Sequence, residues 1–188
     1  MNDSSQTAAP VVVLGVTGGI AAYKAADLVS RMTRSGLEVH VIMTHAALEF
    51  VTERTFLTLS RQPVTTSLWE TPEWKPEHVA LARRADLLAI APCTADMLGK
   101  MAHGIADDAL STYVLAHEKP VIVAPAMNPA MWRNVAVRDN AEILRRRGVI
   151  FVGPASGRVA CGEDGTGRMA EPAEILARIE QELKRSRA

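Results

Sequence analysis

The sequence predicts a single α/β domain: a mainly parallel sheet with helices on both faces. Three observations point there. Five short apolar runs are spaced along the chain, stretches with helical spacing lie between most of them, and a glycine turn follows the first run. Residues 1–9, within MNDSSQTAAP, are polar, without the apolar core of a signal peptide, and are expected to form a disordered tail before one domain over residues 10–188.

The first run, VVVLG from Val11 to Gly15, is apolar and β-branched, as a strand buried on both faces should be. The stretch IAAYKAADLVSRMTRSG follows with apolar residues at helical spacing, and Gly36 is placed to cap its end. Val39–Met43, Leu87–Ala91, Val121–Ala124 and Val149–Val152 give four further strands, with Pro92 expected to end the third of the five. A helix from Pro172 to about Arg185 closes the chain. Arg61 to Glu77, with three prolines and two tryptophans, reads as an irregular insertion. Arg158–Met169, RVACGEDGTGRM, reads as a long loop, because its three glycines would weaken a core helix or a central strand.

Composition excludes several partner classes. Lys+Arg and Asp+Glu number 21 each, so the zero net charge gives no electrostatic reason to expect nucleic acid or an anionic membrane. The basic clusters Arg83–Arg84, Arg145–Arg147 and Lys184–Arg187 read as solvated faces. No apolar run approaches the ~20 residues of a membrane helix. Cys93 and Cys161 have no neighbours at metal-ligand spacing, and the five histidines form no ligand pattern, so no metal is expected. A soluble, reducing, cytoplasmic setting fits two unpaired cysteines.

In an open α/β sheet the ligand sits beyond the carboxyl ends of the strands, so the residues that follow each strand are the candidates. GVTGGIAAYK follows the first; it is neither GxGxxG nor a P-loop, and it is either a ligand-cradling turn or a plain strand–helix turn. Thr44, in VIMTHAA, stands where a dinucleotide site would want an acid, which favours a phosphate or mononucleotide. After the third strand Thr94 or Asp96 can cap a helix, and Cys93 reads as a small buried hydrophobe. APAMNPAMW presents Met127, Asn128, Met131 and Trp132 from a proline turn, where Asn128 is either a turn residue or a ligand contact. His78 and Cys161 are each open to a structural or a catalytic reading. Glu163 and Asp164 favour a protonated Cys161 thiol, while Arg158 and Arg168 oppose it. Residue chemistry thus gives a mononucleotide-sized site and no reaction.

GVTGGIAAYK, His78 before LARRAD, APCTADMLGKMAHGIADD, PAMNPAMW and ACGEDGTGRM occur together and in order, and this set resembles the homo-oligomeric flavin-containing cysteine decarboxylases. The resemblance runs from about Val11 to Pro172. It implies an FMN-binding Rossmann-like (flavodoxin-like) fold, assembled as a homotrimer or a dodecamer of trimers with the flavin between subunits. It implies flavin contacts at Gly18, Gly19, Ile20, Ala21, Thr44, His45, Ala46, Thr94, Ala95, Asp96, Met97 and Ala126. By the same resemblance His78 and Cys161 are catalytic, and Asn128, Met131 and Ala160 meet the substrate.

The implied reaction converts 4′-phosphopantothenoylcysteine to 4′-phosphopantetheine in coenzyme A synthesis, by thiol oxidation, CO2 loss and re-reduction of the enethiol. Two alternatives are a decarboxylase of a peptide C-terminal cysteine, as in lanthipeptide maturation, and a non-enzymatic flavin-binding regulator. The intact ACGEDGTGRM loop speaks against the first and the basic tail KRSRA against the second. A flavin prenyltransferase shares the fold but is not expected to carry PAMN with the cysteine loop. Most relatives have Asn at position 96, so Asp96 is a departure. Bacterial relatives often add a synthetase domain, so a separate phosphopantothenate–cysteine ligase, or a segment beyond Ala188, is expected to supply the substrate.

Overall fold

The computed structural model describes residues 8–69, 77–158 and 162–186. The first seven residues of the expected tail, Trp74, Ala160 and Cys161 lie outside them, as does the side chain of His78.

The elements run β1 (Val11–Val16), α1 (Ala22–Arg34), β2 (Glu38–Met43), α2 (His45–Leu48), α3 (Glu53–Ser60), β3 (Val64–Thr65), α4 (Glu77–Arg84), β4 (Leu87–Cys93), α5 (Ala95–His103) and α6 (Ala109–Ala116). They continue with β5 (Val121–Pro125), α7 (Pro129–Arg133), α8 (Val135–Arg146), β6 (Ile150–Phe151), β7 (Ala155–Arg158), β8 (Asp164–Arg168) and α9 (Pro172–Ser186). Six parallel strands form the main sheet in the order β3-β2-β1-β4-β5-β6, and β7-β8 is a separate antiparallel ribbon.

Each residue of β1 and β4 is buried, as central strands covered on both faces require. One face is covered by α1, α3 and α9. On α1, Ala22, Ala25, Leu28, Val29 and Met32 form the buried stripe, at the 3–4-residue spacing of one helix face. On α9 the stripe is Ile175, Ile179 and Leu183. Beside them the buried Glu182 is held by Arg178 at 3.0 Å and Arg185 at 2.9 Å. The opposite face is covered by helices α4, α5, α6 and α8, where Met97, Leu98, Leu110, Tyr113 and Leu144 pack on Val13, Leu88, Ile90 and Val123.

Three expectations need correction. Pro92 does not end β4: the strand runs on to Cys93, with pairing that steps from Ile90↔Val123 to Cys93↔Pro125. A proline has no N–H to give the ladder, so the irregularity falls at that point and the strand resumes beyond it. The insertion after Arg61 contains β3, an edge strand whose Val64 and Thr65 pair with Val41 and Ile42. Two residues are too few to show a period in sequence. The glycine stretch is not a loop throughout: Asp164–Arg168 is β8, which pairs with β7, with the Ser156 and Thr166 hydroxyls 2.9 Å apart. Its glycines permit close approach: a Cβ at Gly165 would stand 2.9 Å from Pro129, and one at Gly167 would strike the Met127 carbonyl. The Met127 N–H donates to the Gly167 carbonyl (2.9 Å), so the ribbon docks on the turn after β5.

The carboxyl ends of β1 and β4 are joined by Thr17. Its buried hydroxyl donates to the Pro92 carbonyl (2.8 Å) and accepts from the Thr94 N–H (3.1 Å). Thr17→Val keeps the shape and removes both bonds; the Pro92 carbonyl keeps only the long bond from the Thr17 N–H (3.4 Å), and the Thr94 amide is left short of a partner. The expected cost is about 1–3 kcal/mol of folding stability, read as a lower urea midpoint at unchanged slope. An unchanged midpoint would show that the hydroxyl does not hold the two strand ends.

Candidate functional site

Strand order reverses direction between β1 and β4: the chain builds outward through β2 and β3 on one side, then through β5 and β6 on the other. Connections diverge there and leave a crevice beyond the carboxyl ends. A cavity of about 730 Å³ occupies it, lined by Gly18–Ala21 after β1, Thr94 and Ala95 after β4, and Ala126–Asn128 after β5. The ribbon adds Arg158, Gly167 and Arg168, with Met169 just beyond β8. That volume falls within the usual range for a cofactor or small-molecule site.

Each wall has a local cause. Gly18 lacks a side chain because the Thr44–Ala47 turn lies against it: a Cβ there would sit 2.8 Å from the Ala46 carbonyl carbon. Gly19 faces open space, its nearest neighbour being the Thr94 methyl at 3.9 Å from a built Cβ. The N-terminus of α1 begins right after this turn, and oriented N–H groups at such a terminus favour an anion. Thr94 rather than Asp96 caps α5, its hydroxyl accepting from the Met97 N–H at 3.3 Å. Asn128 caps α7 by accepting from the Ala130 N–H (2.7 Å), and its Nδ2 donates to a Glu163 carboxylate oxygen (3.2 Å). It is therefore both a turn residue and a residue of the cavity wall.

The structure gathers most of the expected residues and sorts the rest. Gly18, Gly19, Ile20, Ala21, Thr94, Ala95, Ala126, Asn128 and Met131 share the cavity. Thr44, His45 and Ala46 do not line it; Ala46 buttresses the glycine turn from behind. The Thr44 hydroxyl oxygen is buried with no hydrogen-bond partner among the described residues. Asp96 is mostly exposed and pairs with Lys100 at 3.3 Å, and the Met97 side chain is buried in the core, so neither side chain lines the cavity. Cys93 is wholly buried, and burial, with the nearby Asp96 charge, pushes its thiol far above the usual range. It is the inert hydrophobe its surroundings dictate. His78 falls in the first turn of α4, a helix that feeds β4 and so begins at the sheet's carboxyl edge.

Three features had no clear signal in the sequence. Thr17 stands in the turn after β1 with no local pattern that marks its hydroxyl. Lys24 and Tyr23 line the cavity from the first turn of α1, where a lysine reads as solvent-facing. Lys100 sits among Asp96, Asp107 and Asp108. Burial works against its charge, but hydrogen bonds from its ammonium to Asp107 (2.9 Å) and Asp108 (3.2 Å) outweigh this and raise its pKa. Asp108 also caps α6 by accepting from the Ser111 N–H at 2.7 Å, so Lys100 fixes the turn between α5 and α6.

Comparison with known proteins agrees with this geometry. The Coenzyme A biosynthesis bifunctional protein CoaBC of Vibrio vulnificus is 49% identical over 171 residues, covering 90% of this chain and 43% of that protein. The CoaBC protein of Escherichia coli is 45% identical over 166 residues, covering 88% and 41%. The chain thus spans less than half the length of these curated relatives. Among solved structures, a PPC decarboxylase mutant complexed with pantothenoylaminoethenethiol aligns with TM-score 0.82 and 33% identity, covering 92% of this chain and 97% of that one. The FMN-dependent cysteine decarboxylase SpaF aligns with TM-score 0.82 and 31% identity, covering 96% and 99%. The sequence profile of the Flavoprotein family matches residues 2–184, and the chain belongs to that family.

Proposed function

We propose that this chain catalyses the FMN-dependent decarboxylation of 4′-phosphopantothenoylcysteine to 4′-phosphopantetheine in coenzyme A synthesis. The carrying observation is the cavity at the β1–β4 divergence, whose walls are the glycine turn, the Thr94 cap and the Asn128 turn. The residues fit FMN on two counts. The Thr44 hydroxyl is a buried polar atom without a described partner, as a phosphate- or ribityl-binding group would be. The cradle at Gly18 and Gly19 leaves backbone bare at a helix N-terminus, where a phosphate is favoured.

Gly18–Ala21, Thr94, Ala95 and Ala126 would hold the cofactor from the cavity side, with Thr44–Ala46 behind the turn. Bound FMN supplies a two-electron acceptor and donor at the cysteinyl carbon. The chain's own groups bind, orient and move protons. Asn128 Nδ2 already bonds a carboxylate, that of Glu163, and would turn the same donor to the substrate's carboxylate. Met131, about half exposed, flanks it as an apolar contact. His78 would take the thiol proton, since an imidazole titrates near working pH. Cys161, beside Ala160 in the sequence, would return a proton to the enethiol carbon.

A second reading, decarboxylation of a peptide C-terminal cysteine, is favoured by the equal structural likeness to SpaF. The sequence favours the coenzyme A reading, since identity to the CoaBC proteins is 45–49% and to SpaF 31%. We also propose a homotrimer, or a dodecamer of trimers, in the cytoplasm. Exposed Ile20, Tyr23 and Met131 at the cavity rim are what a neighbouring subunit would cover. A phosphopantothenate–cysteine ligase activity would supply the substrate.

The purified protein should be yellow, should release FMN on denaturation, and should convert phosphopantothenoylcysteine with loss of CO2, followed by mass spectrometry. Peptidyl cysteine consumed in its place would favour the second reading, and consumption of neither would end both. Gly18→Ala should yield folded protein that has lost most of its FMN, because the added methyl meets Ala46; retained FMN would remove the turn from the site. Cys161→Ser should still release CO2 but accumulate the enethiol, lighter than the product by two hydrogens. Normal phosphopantetheine output from that variant would place the acid elsewhere.

A further inference from the structure

The charged side chains among the cavity's described lining are all cationic: Lys24, Arg158 and Arg168. Lys24 and Arg168 come from different elements, α1 and β8, yet share one carboxylate oxygen. Lys24 Nζ stands 2.7 Å and Arg168 Nη2 3.3 Å from Glu171 Oε1. One carboxylate between two cations leaves a positive excess facing the cavity. The Lys24 side chain is only 17% exposed, so this charge is not simply a solvated tip.

The ribbon is shaped around Arg168. Gly157 on β7, which pairs with Gly165, has φ +136, and a Cβ there would stand 2.8 Å from an Arg168 Nη atom. The guanidinium therefore lies across bare backbone that no side chain could share. The next residue back, Gly167, accepts from the Met127 N–H, which fixes the base of the arginine to the cavity floor. A helix cation and a strand cation, both aimed at one cavity and both steadied by a single acid, match the geometry of an oxyanion site.

We propose that Lys24 and Arg168, with Arg158 at the rim, form a phosphate-monoester site at the cavity mouth, and that Glu171 holds the two cations in register. This rests on the functional reading above, under which two phosphates enter the cavity, the cofactor's and the substrate's. Under that reading the glycine turn at the α1 terminus takes the cofactor's phosphate, so the Lys24–Arg168 pair takes the substrate's. It thereby selects a phosphorylated small molecule over a peptide. Glu171 is held below the usual carboxylate range, chiefly by its hydrogen bond from Lys24, and so stays charged as their counter-ion.

The test compares wild-type, Arg168→Gln, Lys24→Gln and the charge-keeping Arg168→Lys holoenzymes. The readouts are kcat/KM for phosphopantothenoylcysteine over that for the same compound without its phosphate, and the affinity for FMN over that for riboflavin. The first ratio should fall about tenfold or more in each Gln variant and be partly restored in Arg168→Lys, with the second ratio unmoved. A collapse of the FMN/riboflavin ratio instead would assign the phosphate to the cofactor. Both ratios at wild-type values would overturn the site. Glu171→Gln, which removes the charge that holds the two cations in register, should also lower the first ratio, with the second unmoved; an unchanged first ratio would count against the role of Glu171. A wild-type protein that turns over neither compound would sink the functional reading, while the FMN/riboflavin arm still reports on the phosphate site.

Discussion

The arrangement depends on how β1 and β4 are held where they part. Two parallel strands that send their chains in opposite directions leave a crevice, and nothing in the ladder itself keeps its lips in place. Thr17 does so with one hydroxyl, which donates to the Pro92 carbonyl and accepts from the Thr94 amide. Thr94 in turn caps α5, and the glycine turn starts α1 directly after Thr17. Two helix N-termini are thus set beside one cavity by a single buried side chain. The sheet below is wholly buried at β1 and β4, so the platform that carries these bonds is rigid.

Onto that platform the chain adds a third wall. The ribbon β7-β8 docks through glycines of β8 that let backbone approach Met127 and Pro129. Close backbone approach converts a glycine-rich segment into a fixed wall without apolar side chains of its own. It also sets Arg168 and Met169 at the cavity, and the Lys24–Glu171 pair then ties α1 to the start of α9 across the same mouth. The charge pattern follows from this geometry: cations face inward, and the acid that steadies them stands behind.

Much of this was legible in the sequence, for reasons that can be named. Val11–Val16 and Leu87–Cys93 are long, apolar and buried on both faces, so their type was plain, and the parallel order followed from the helices between them. The strand-end rule points to the crevice from the sequence alone. What was not legible was pairing at short range and contact at long range. Val64–Thr65 is too short to show a period. The β7-β8 pairing is invisible to a reading that treats glycine only as a breaker. Thr17, Lys24 and Glu171 matter through partners 75 and 147 positions away, and no local pattern reports such distances. Asp96 shows the converse, a residue placed at the site by resemblance whose side chain faces Lys100 and solvent.

The central claim is that the turn after β1, the α5 cap and the turn after β5 together receive FMN. The most direct measurement is a crystal structure of the protein with FMN bound. The account predicts the flavin in the β1–β4 crevice, with its phosphate or ribityl chain within hydrogen-bond reach of the Gly18–Ala21 amides. A flavin bound elsewhere, such as the groove between Trp132, Arg138 and Arg145 on α7 and α8, would contradict it.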